Sequence, residues 1–410
     1  MCLVNGEVGS ARDSGPGGSR SRAFNAFLCA VLASNLLGSA FIASASWLVG
    51  SPALPPWLPL ANQAVAVGGI VVGAALGARI ARRVDFGVGI AGSSVIEALL
   101  ALIPVAAVAV ASGSSEASLA VAVIVGNGAV AFASGVTGPL WIAAIHTWPD
   151  APGSSTSRIA KEAAIFQVGK VAGPVLAGLA LGSIGERSSL IVLSAANSAS
   201  FLLVAAVMFS VVRKSRFGRD GMQPREAVGG PQSSRIVRAS VLVAALAIAS
   251  DAARAYLPRL LQEDGVTPSL GGLVLACIAA GAAASGLLTE RALKVMSTRR
   301  LMLFGFIILV CSLALWWLGG STVVWVLGAV LGGFGMSVTY STIVSTGLDG
   351  SLQPAGLAGQ IRVAKTLSGL FGAALIAACV AASGPILLFP VLAAIAGGVI
   401  AGRGRDGVVS

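Results

Sequence analysis

The sequence predicts an all-α membrane protein, with twelve transmembrane helices in two pseudo-symmetric six-helix bundles. Three observations predict it. Only 10% of the 410 residues are Asp, Glu, Lys or Arg, while 56% are hydrophobic; a soluble globular chain carries about 25% charged residues. The apolar residues gather into twelve long runs, and a hydrocarbon core about 30 Å thick needs roughly 20 such residues per helix. The cations collect at one end of these runs, which is the pattern that orients membrane helices.

The runs fall at 23–50, 59–78, 87–111, 118–145, 159–182, 189–212, 237–257, 268–289, 300–319, 321–345, 359–383 and 386–402. They are apolar all round and do not alternate as the strands of an outer-membrane barrel must. A helix satisfies its own backbone hydrogen bonds in lipid, so helices are the allowed solution. Residues 1–22 are polar and Gly/Ser-rich and are expected to be a disordered cytoplasmic tail. No short apolar stretch with a small-residue cleavage site precedes the first long run, so a cleaved signal peptide is not expected. A bundle over 23–212, a basic linker over 213–237, a second bundle over 238–403 and a tail over 404–410 complete the expected organisation.

A net charge of +11 would suggest a nucleic-acid partner in a soluble protein. Here position decides otherwise. Of the 27 Lys and Arg, all but Lys170, Arg187, Arg254 and Arg259 lie in the tails, the linker or the ends of runs on one side, Lys365 at the start of the eleventh run being counted with them. This bias puts both termini in the cytoplasm, fits an even number of spans, and places the chain in the inner (plasma) membrane with the lipid bilayer, not nucleic acid, as its surroundings. Trp47, Trp57, Trp316, Trp317 and Trp325 cluster near the opposite ends and Trp148 near a cytoplasmic end, as in an interfacial aromatic belt. Arg outnumbers Lys, and Ala, Gly and Val dominate, a composition of GC-rich bacterial genomes.

Catalysis is not expected. The single histidine, His146, is read as interfacial, and no nucleophile–base set or metal-ligand cluster is present. Cys29, Cys277, Cys311 and Cys379 lie in apolar runs without C-x-x-C spacing, and with Cys2 they are read as small buried hydrophobes, not disulfides or metal ligands. No enzyme activity, cofactor or metal is therefore assigned.

Six runs, a basic linker and six more runs suggest duplication. An offset of 199 residues aligns Trp141 with Tyr340, Asp150 with Asp349 and Gly173 with Gly372. Parallel six-helix halves related by an axis along the membrane normal form a transporter architecture with the substrate site near the midplane.

Several stretches carry a family resemblance. Run 1 reads SNLLGSAFIASASWLV (Ser34–Val49). Run 5 carries Gly169, Gly173, Pro174 and Gly178 in the order G-x3-G-P-x3-G, with Ala177 in place of a further glycine. The loop after run 8 reads Gly286-Leu-Leu-Thr-Glu290-Arg291, and a degenerate copy after run 2 contains Arg82, Arg83 and Asp85. With these stretches the chain resembles the major facilitator superfamily over residues 23–403, and more narrowly the branch of enterobactin exporters and macrolide-efflux proteins. The resemblance implies the major facilitator fold, alternating access, efflux of a drug, natural product or siderophore-like molecule in exchange for protons, and a part in antibiotic resistance. It also implies an antiporter motif at Gly169, Gly173, Pro174 and Gly178, and cytoplasmic latches at Arg83, Asp85, Gly286, Glu290 and Arg291. A basic residue that the family's proton-linked members carry in run 4 is replaced by Val130.

The motif has a physical sense of its own. Glycines clear one face of a helix so that another helix approaches closely, and Pro174 removes a backbone hydrogen bond and favours a bend. Charges inside the membrane cost at least about 2.5–3.5 kcal/mol and are functional candidates by default. Glu97 and Lys170 have similar depth and could pair, Glu97 serving either as a structural partner or a ligand. Asp251 and Arg254, three apart in run 7, are expected on one face, the carboxylate poised by the cation. Asp251, Glu97 and Glu162 are the proton-coupling candidates. Lys170, Arg254, Asn35, Gln167 and Asn127 are the candidates for a substrate cavity, and Trp141 and Tyr340 for an inner gate. The expectation is a monomeric secondary exporter of a small organic molecule, with protons as the coupling ion. An importer, a lipid flippase or a non-transporting membrane sensor stays open as an alternative.

Overall fold

The computed structural model describes residues 16–81, 84, 86–110, 115–147, 155–212, 233–293, 295–348 and 354–403. Twelve helical segments follow in order. These are α1 (Pro16–Val49), α2 (Leu58–Ala81), α3 (Phe86–Ala101, then Ile103–Val110), α4 (Glu116–Thr147), α5 (Ser155–Ile184) and α6 (Glu186–Val212). In the second half come α7 (Ser233–Ala247, a π-helical turn Ile248–Ala252, then Ala253–Glu263), α8 (Pro268–Leu293), α9 (Thr298–Leu318), α10 (Thr322–Leu348), α11 (Pro354–Ala381) and α12 (Leu388–Arg403). Among the described residues, eleven are long and apolar enough to cross a membrane, and the twelfth is a shorter apolar helix at Leu388–Gly402. α1 begins at Pro16, so part of the expected tail is helical.

Local chemistry sets the boundaries. α3 breaks at Leu102, two residues before Pro104, whose ring packs against Gly126 of α4; proline cannot donate to a helix interior. α9 starts where the Ser297 side chain accepts from the Arg300 amide, and stops at Gly319, which has φ +55°.

The two halves repeat the same contacts. α1 packs on α5 as α7 packs on α11; α2 packs on α4 as α8 packs on α10; α3 packs on α6 as α9 packs on α12. The repeat reaches single residues. Gly173 of α5 lies against Leu36, Ser39 and Ala40 of α1, and its counterpart Gly372 of α11 lies against Ile248 and Ala252 of α7. A Cβ at Gly173 would fall 2.7 Å from the Leu36 carbonyl oxygen and 2.8 Å from the Ala40 amide, and one at Gly372 would fall 3.0 Å from the Ile248 backbone. Both positions thus need glycine for helix–helix approach.

Within the first half, hydroxyls tie α6 to α3. Ser198 donates to the Ala98 carbonyl at 2.8 Å and Ser194 donates to that of Ala101. Large apolar side chains such as Val72, Leu99, Phe371 and Leu392 remain exposed on the bundle's outside, where lipid is the solvent that suits them.

The halves meet through α5 with α8 and through α2 with α11. Hydrogen bonds cross between them at the end opposite Pro16 and Arg403. Arg259 donates to the Leu54 carbonyl at 3.2 Å, Gln262 to that of Trp47 at 2.8 Å, Tyr256 to that of Pro56 at 3.0 Å and Ser269 to that of Gly178 at 3.2 Å. At the same end the Trp47 ring covers Gly271, and Gly272 lies on the Pro174 carbonyl and Gly178. Trp47, Trp316 and Trp325 are buried while Trp57 and Trp317 are half exposed. Trp47 and Trp325 act as packing and hydrogen-bonding residues, the Trp325 indole donating to Asp264 at 3.1 Å.

Candidate functional site

Between the halves, at mid-depth, lies a cavity of about 690 Å³. Its wall comes from α1, α2, α4 and α5 of the first half and α7, α8, α10 and α11 of the second. Among the described residues, none of α3, α6, α9 or α12 lines it. Those four are the outer members of the repeat.

The floor, at the end away from Pro16 and Arg403, is the set of bonds from α7 to the last turn of α1 and the α1–α2 loop. α7 reaches that loop because Tyr256, Arg259 and Gln262 recur at helical spacing along Ala253–Glu263. Arg259 also bonds Glu263 at 2.9 Å, an i,i+4 pair that holds its guanidinium in place. The acceptors are backbone carbonyls, so their positions depend on the loop's path and not on side-chain identity.

The polar wall is asymmetric. From the first half come Ser39, Asn62, Gln63, Asn127, Gln167 and Lys170; from the second come Asp251, Arg254, Ser337 and Lys365. Asn127 donates to the Asn62 side chain at 2.8 Å, tying α4 to α2. Lys365 Nζ stands 3.3 Å from Asp251 Oδ2 and 4.9 Å from the centre of the Tyr340 ring. The Lys365–Asp251 pair thus joins α11 to the π-helical turn of α7, and the ring adds a cation–π contact. Gly369 leaves the room, its α-carbon face lying against the Asp251 side chain. Unit charges about 4 Å apart attract by roughly 4 kcal/mol at an effective dielectric near 20, which offsets part of the cost of taking them from water.

This pairing corrects the expectation that Asp251 is poised by Arg254. The π turn over Ile248–Ala252 contains Asp251, and its wider winding alters the three-residue register that an α-helix would give. Arg254 instead points its Nη1 at the Met336 sulfur, 3.9 Å away. Both residues nevertheless line the cavity. Lys365 also departs from its reading as a membrane-surface anchor, since it stands in the cavity wall.

The other candidates divide. Lys170, Gln167, Asn127 and Pro174 line the cavity, whereas Asn35 is bonded to the Val31 carbonyl of its own helix and lies outside the lining. Glu97 is 1% exposed, receives hydrogen bonds from Ser134 and Thr137 of α4, and does not line the cavity. Gly169 packs on Asn35 and Leu36, and Gly178 on Pro268, Ser269 and Gly272 of α8. Trp141 and Tyr340 occupy different surroundings: Trp141 is buried edge-on to Phe27 at 6.5 Å, and Tyr340 is in the cavity wall. Gly286 has open space beside it and Arg291 is exposed. Arg83 and Asp85 lie outside the described residues, as do the side chains of Glu162 and Glu290.

Comparison with known proteins places this geometry. The sequence model of a family described as Major Facilitator Superfamily matches residues 23–377. No curated protein matches the chain. Among solved structures, a bacterial homologue of the iron transporter ferroportin in an inward-facing state is similar with a TM-score of 0.69 at 16% identity, covering 92% of this chain and 98% of that one. The nucleoside transporter NupG is similar with a TM-score of 0.69 at 12% identity, covering 92% and 97%. A bacterial homologue of the lysosomal transporter Spinster, inward-facing and occupied, gives 0.65 at 14% identity, covering 93% and 94%.

Proposed function

The chain belongs to the Major Facilitator Superfamily, and from that premise we propose that it exports a small, partly apolar organic molecule across a bacterial inner membrane by alternating access, driven by proton entry. The observation that carries the reading is the cavity between the two halves, polar on several helices and closed at one end by α7. With both termini in the cytoplasm, that closed end faces outward and the cavity receives its cargo from the cytoplasm. Rocking of one half against the other then breaks the α7 bonds and forms contacts at the opposite end.

The Asp251–Lys365 pair supplies a proton-coupling step. Its carboxylate stands in the cavity wall, and its partner Lys365 comes from another helix of the same half, so the contact can break when α7 and α11 move against each other. The direction of transport follows from the helix-5 motif, which resembles that of antiporters, and the cleared faces at Gly173 and Gly178 provide the close interfaces on which α5 rocks.

Everted vesicles test the reading, with a macrolide and a fluorescent amphiphilic dye as probes. Vesicles carrying the chain should accumulate one or both when an inward-acid gradient is imposed, and collapse of the gradient should stop it. Accumulation that persists unchanged without the gradient overturns proton coupling. Loss of probe from the vesicles, in place of accumulation, overturns export in favour of import.

A further inference from the structure

Both members of the ion pair belong to one half. Lys365 is on α11 and Asp251 on α7, so rocking of the halves as rigid units leaves the pair as it is. A pair that responds to the position of the halves needs a contact from the other half. Such a contact stands at Gly369, one turn beyond Lys365 on α11. A Cβ at Gly369 would fall 3.2 Å from the Asp251 Cβ, 3.7 Å from its Oδ2 and 3.5 Å from Nε2 of Gln63. Gln63 is on α2, in the first half, and lines the same cavity as Asp251 and Lys365. Three helices from the two halves thus meet over one glycine, with a carboxamide on one side and the carboxylate on the other.

The three groups are complementary. A carboxamide carries N–H donors and a C=O acceptor. Its donors suit the Asp251 carboxylate, and its acceptor suits the Lys365 ammonium. In the form described above, closed by the α7 bonds, this match is incomplete: Gln63 Oε1 is buried without a hydrogen-bond partner. A buried acceptor left unbonded is costly, so a form that supplies its donor is favoured by comparison. Lys365 lies nearer than Gly369 to the Pro354 end of α11. That end draws together with the first half when the α7 end opens, which carries α2 toward Lys365.

We propose that Gln63 is a positioning residue for the Asp251–Lys365 pair: when the halves rock, its Oε1 accepts from Lys365 Nζ while its Nε2 donates to Asp251, so the pair is loosened only as the first half arrives. This rests on the alternating-access reading above and names the contact through which the halves act on the pair.

The test reads the position of the halves directly. Spin labels at Ser188→Cys, near the start of α6, and Thr322→Cys, at the start of α10, are placed in a full-length chain otherwise free of cysteine and held in lipid nanodiscs; both positions are exposed. Pulsed electron resonance then gives the ratio of long to short separations, that is, of open to closed at the α7 end. Gln63→Met keeps the length and removes both polar atoms, and should lower that ratio at least about fivefold, as loss of a hydrogen bond to a charged group implies. Gln63→Leu should act alike. With Asp251→Asn and Lys365→Gln already present, Gln63→Met should change the ratio less than about twofold, whereas a packing role gives the same change in both backgrounds. Gln63→Glu combined with Asp251→Asn moves the carboxylate to the first half and should raise the open fraction above the parent's. Equal changes in both backgrounds, no change, a rise with Gln63→Met, or a parent with a single separation overturns the proposal. Failure of the transport reading is separate: the non-additive change in separation then remains, but vesicles take up no probe.

Discussion

Lys365 of α11 holds Asp251 of α7 at 3.3 Å, inside the cavity and at a π-helical turn. The two side chains keep about a quarter of their surface exposed, so they are reached by water while still being partly desolvated. Removing one partner should therefore cost less than the about 3–5 kcal/mol lost on breaking a fully buried pair. Asp251→Asn and Lys365→Gln are each expected to lower the melting temperature and abolish gradient-driven flux. The double variant should recover most of the stability but not the flux. Scanning calorimetry and vesicle uptake on the same preparations check this, and a double variant that transports normally removes the pair from the coupling step.

The end opposite Pro16 and Arg403 is closed by donors on α7 and backbone acceptors on the first half. Arg259→Ala deletes the bond to Leu54 and leaves that carbonyl to find water. A loss of about 1 kcal/mol in preference for this closed form shifts the population roughly fivefold. A cysteine placed at Ala255, in the cavity wall, in a chain otherwise free of cysteine, should then react several-fold faster with a membrane-impermeant thiol reagent applied from that side. Gln262→Ala should act in the same direction. Unchanged labelling in both variants means that these bonds do not hold the closed form.

Much of the fold was legible because its determinants are local. Apolar run length and the position of cations mark the spans, and the offset joining Gly173 to Gly372 matches equivalent packing of α5 on α1 and α11 on α7. The cavity was less legible, for two reasons of register. Hydropathy begins the eleventh span near residue 359, but α11 begins at Pro354. At about 1.5 Å per residue Lys365 then stands some 16 Å from the start of the helix, in the cavity wall. The spacing of Asp251 and Arg254 implies a shared face only if α7 is α-helical throughout, and it is not. Lys365, Asn62, Gln63 and Met336 could have been found from the sequence only by knowing which helix faces converge, which depends on the packing of eight helices at once.

The approach of α5 to α8 is testable at Gly272, whose α-carbon lies on the Pro174 carbonyl and on Gly178. A Cβ there would fall 2.9 Å from the Gly178 α-carbon, and both obstacles are backbone, so neither can rotate aside. Gly272→Leu is expected to push the halves apart at this end, with overpacking that costs about 1–3 kcal/mol and loss of flux. Gly286→Leu, at a position with open space, should leave both unchanged. Equal loss in the two variants would mean that bulk in α8, not the close interface, is what the protein does not tolerate.

Glu97 is the intramembrane acid that the cavity does not use. It accepts from Thr137 at 3.0 Å and from Ser134, all within the α3–α4 contact of the first half. Thr137 also bonds the Ala133 carbonyl at 2.9 Å, so part of its hydrogen bonding survives without the acid. Glu97→Gln keeps an acceptor and the volume, and should leave gradient-driven flux within about twofold of the parent. Glu97→Leu removes the acceptor and should lower stability by about 0.6–2 kcal/mol, the range for interhelical polar contacts in membranes, while flux per folded molecule persists. Uptake normalised to folded protein checks both. If Glu97→Gln alone uncouples transport from the proton gradient, then this acid, and not Asp251, carries the proton, and the path of that proton runs through α3 and α4 outside the cavity.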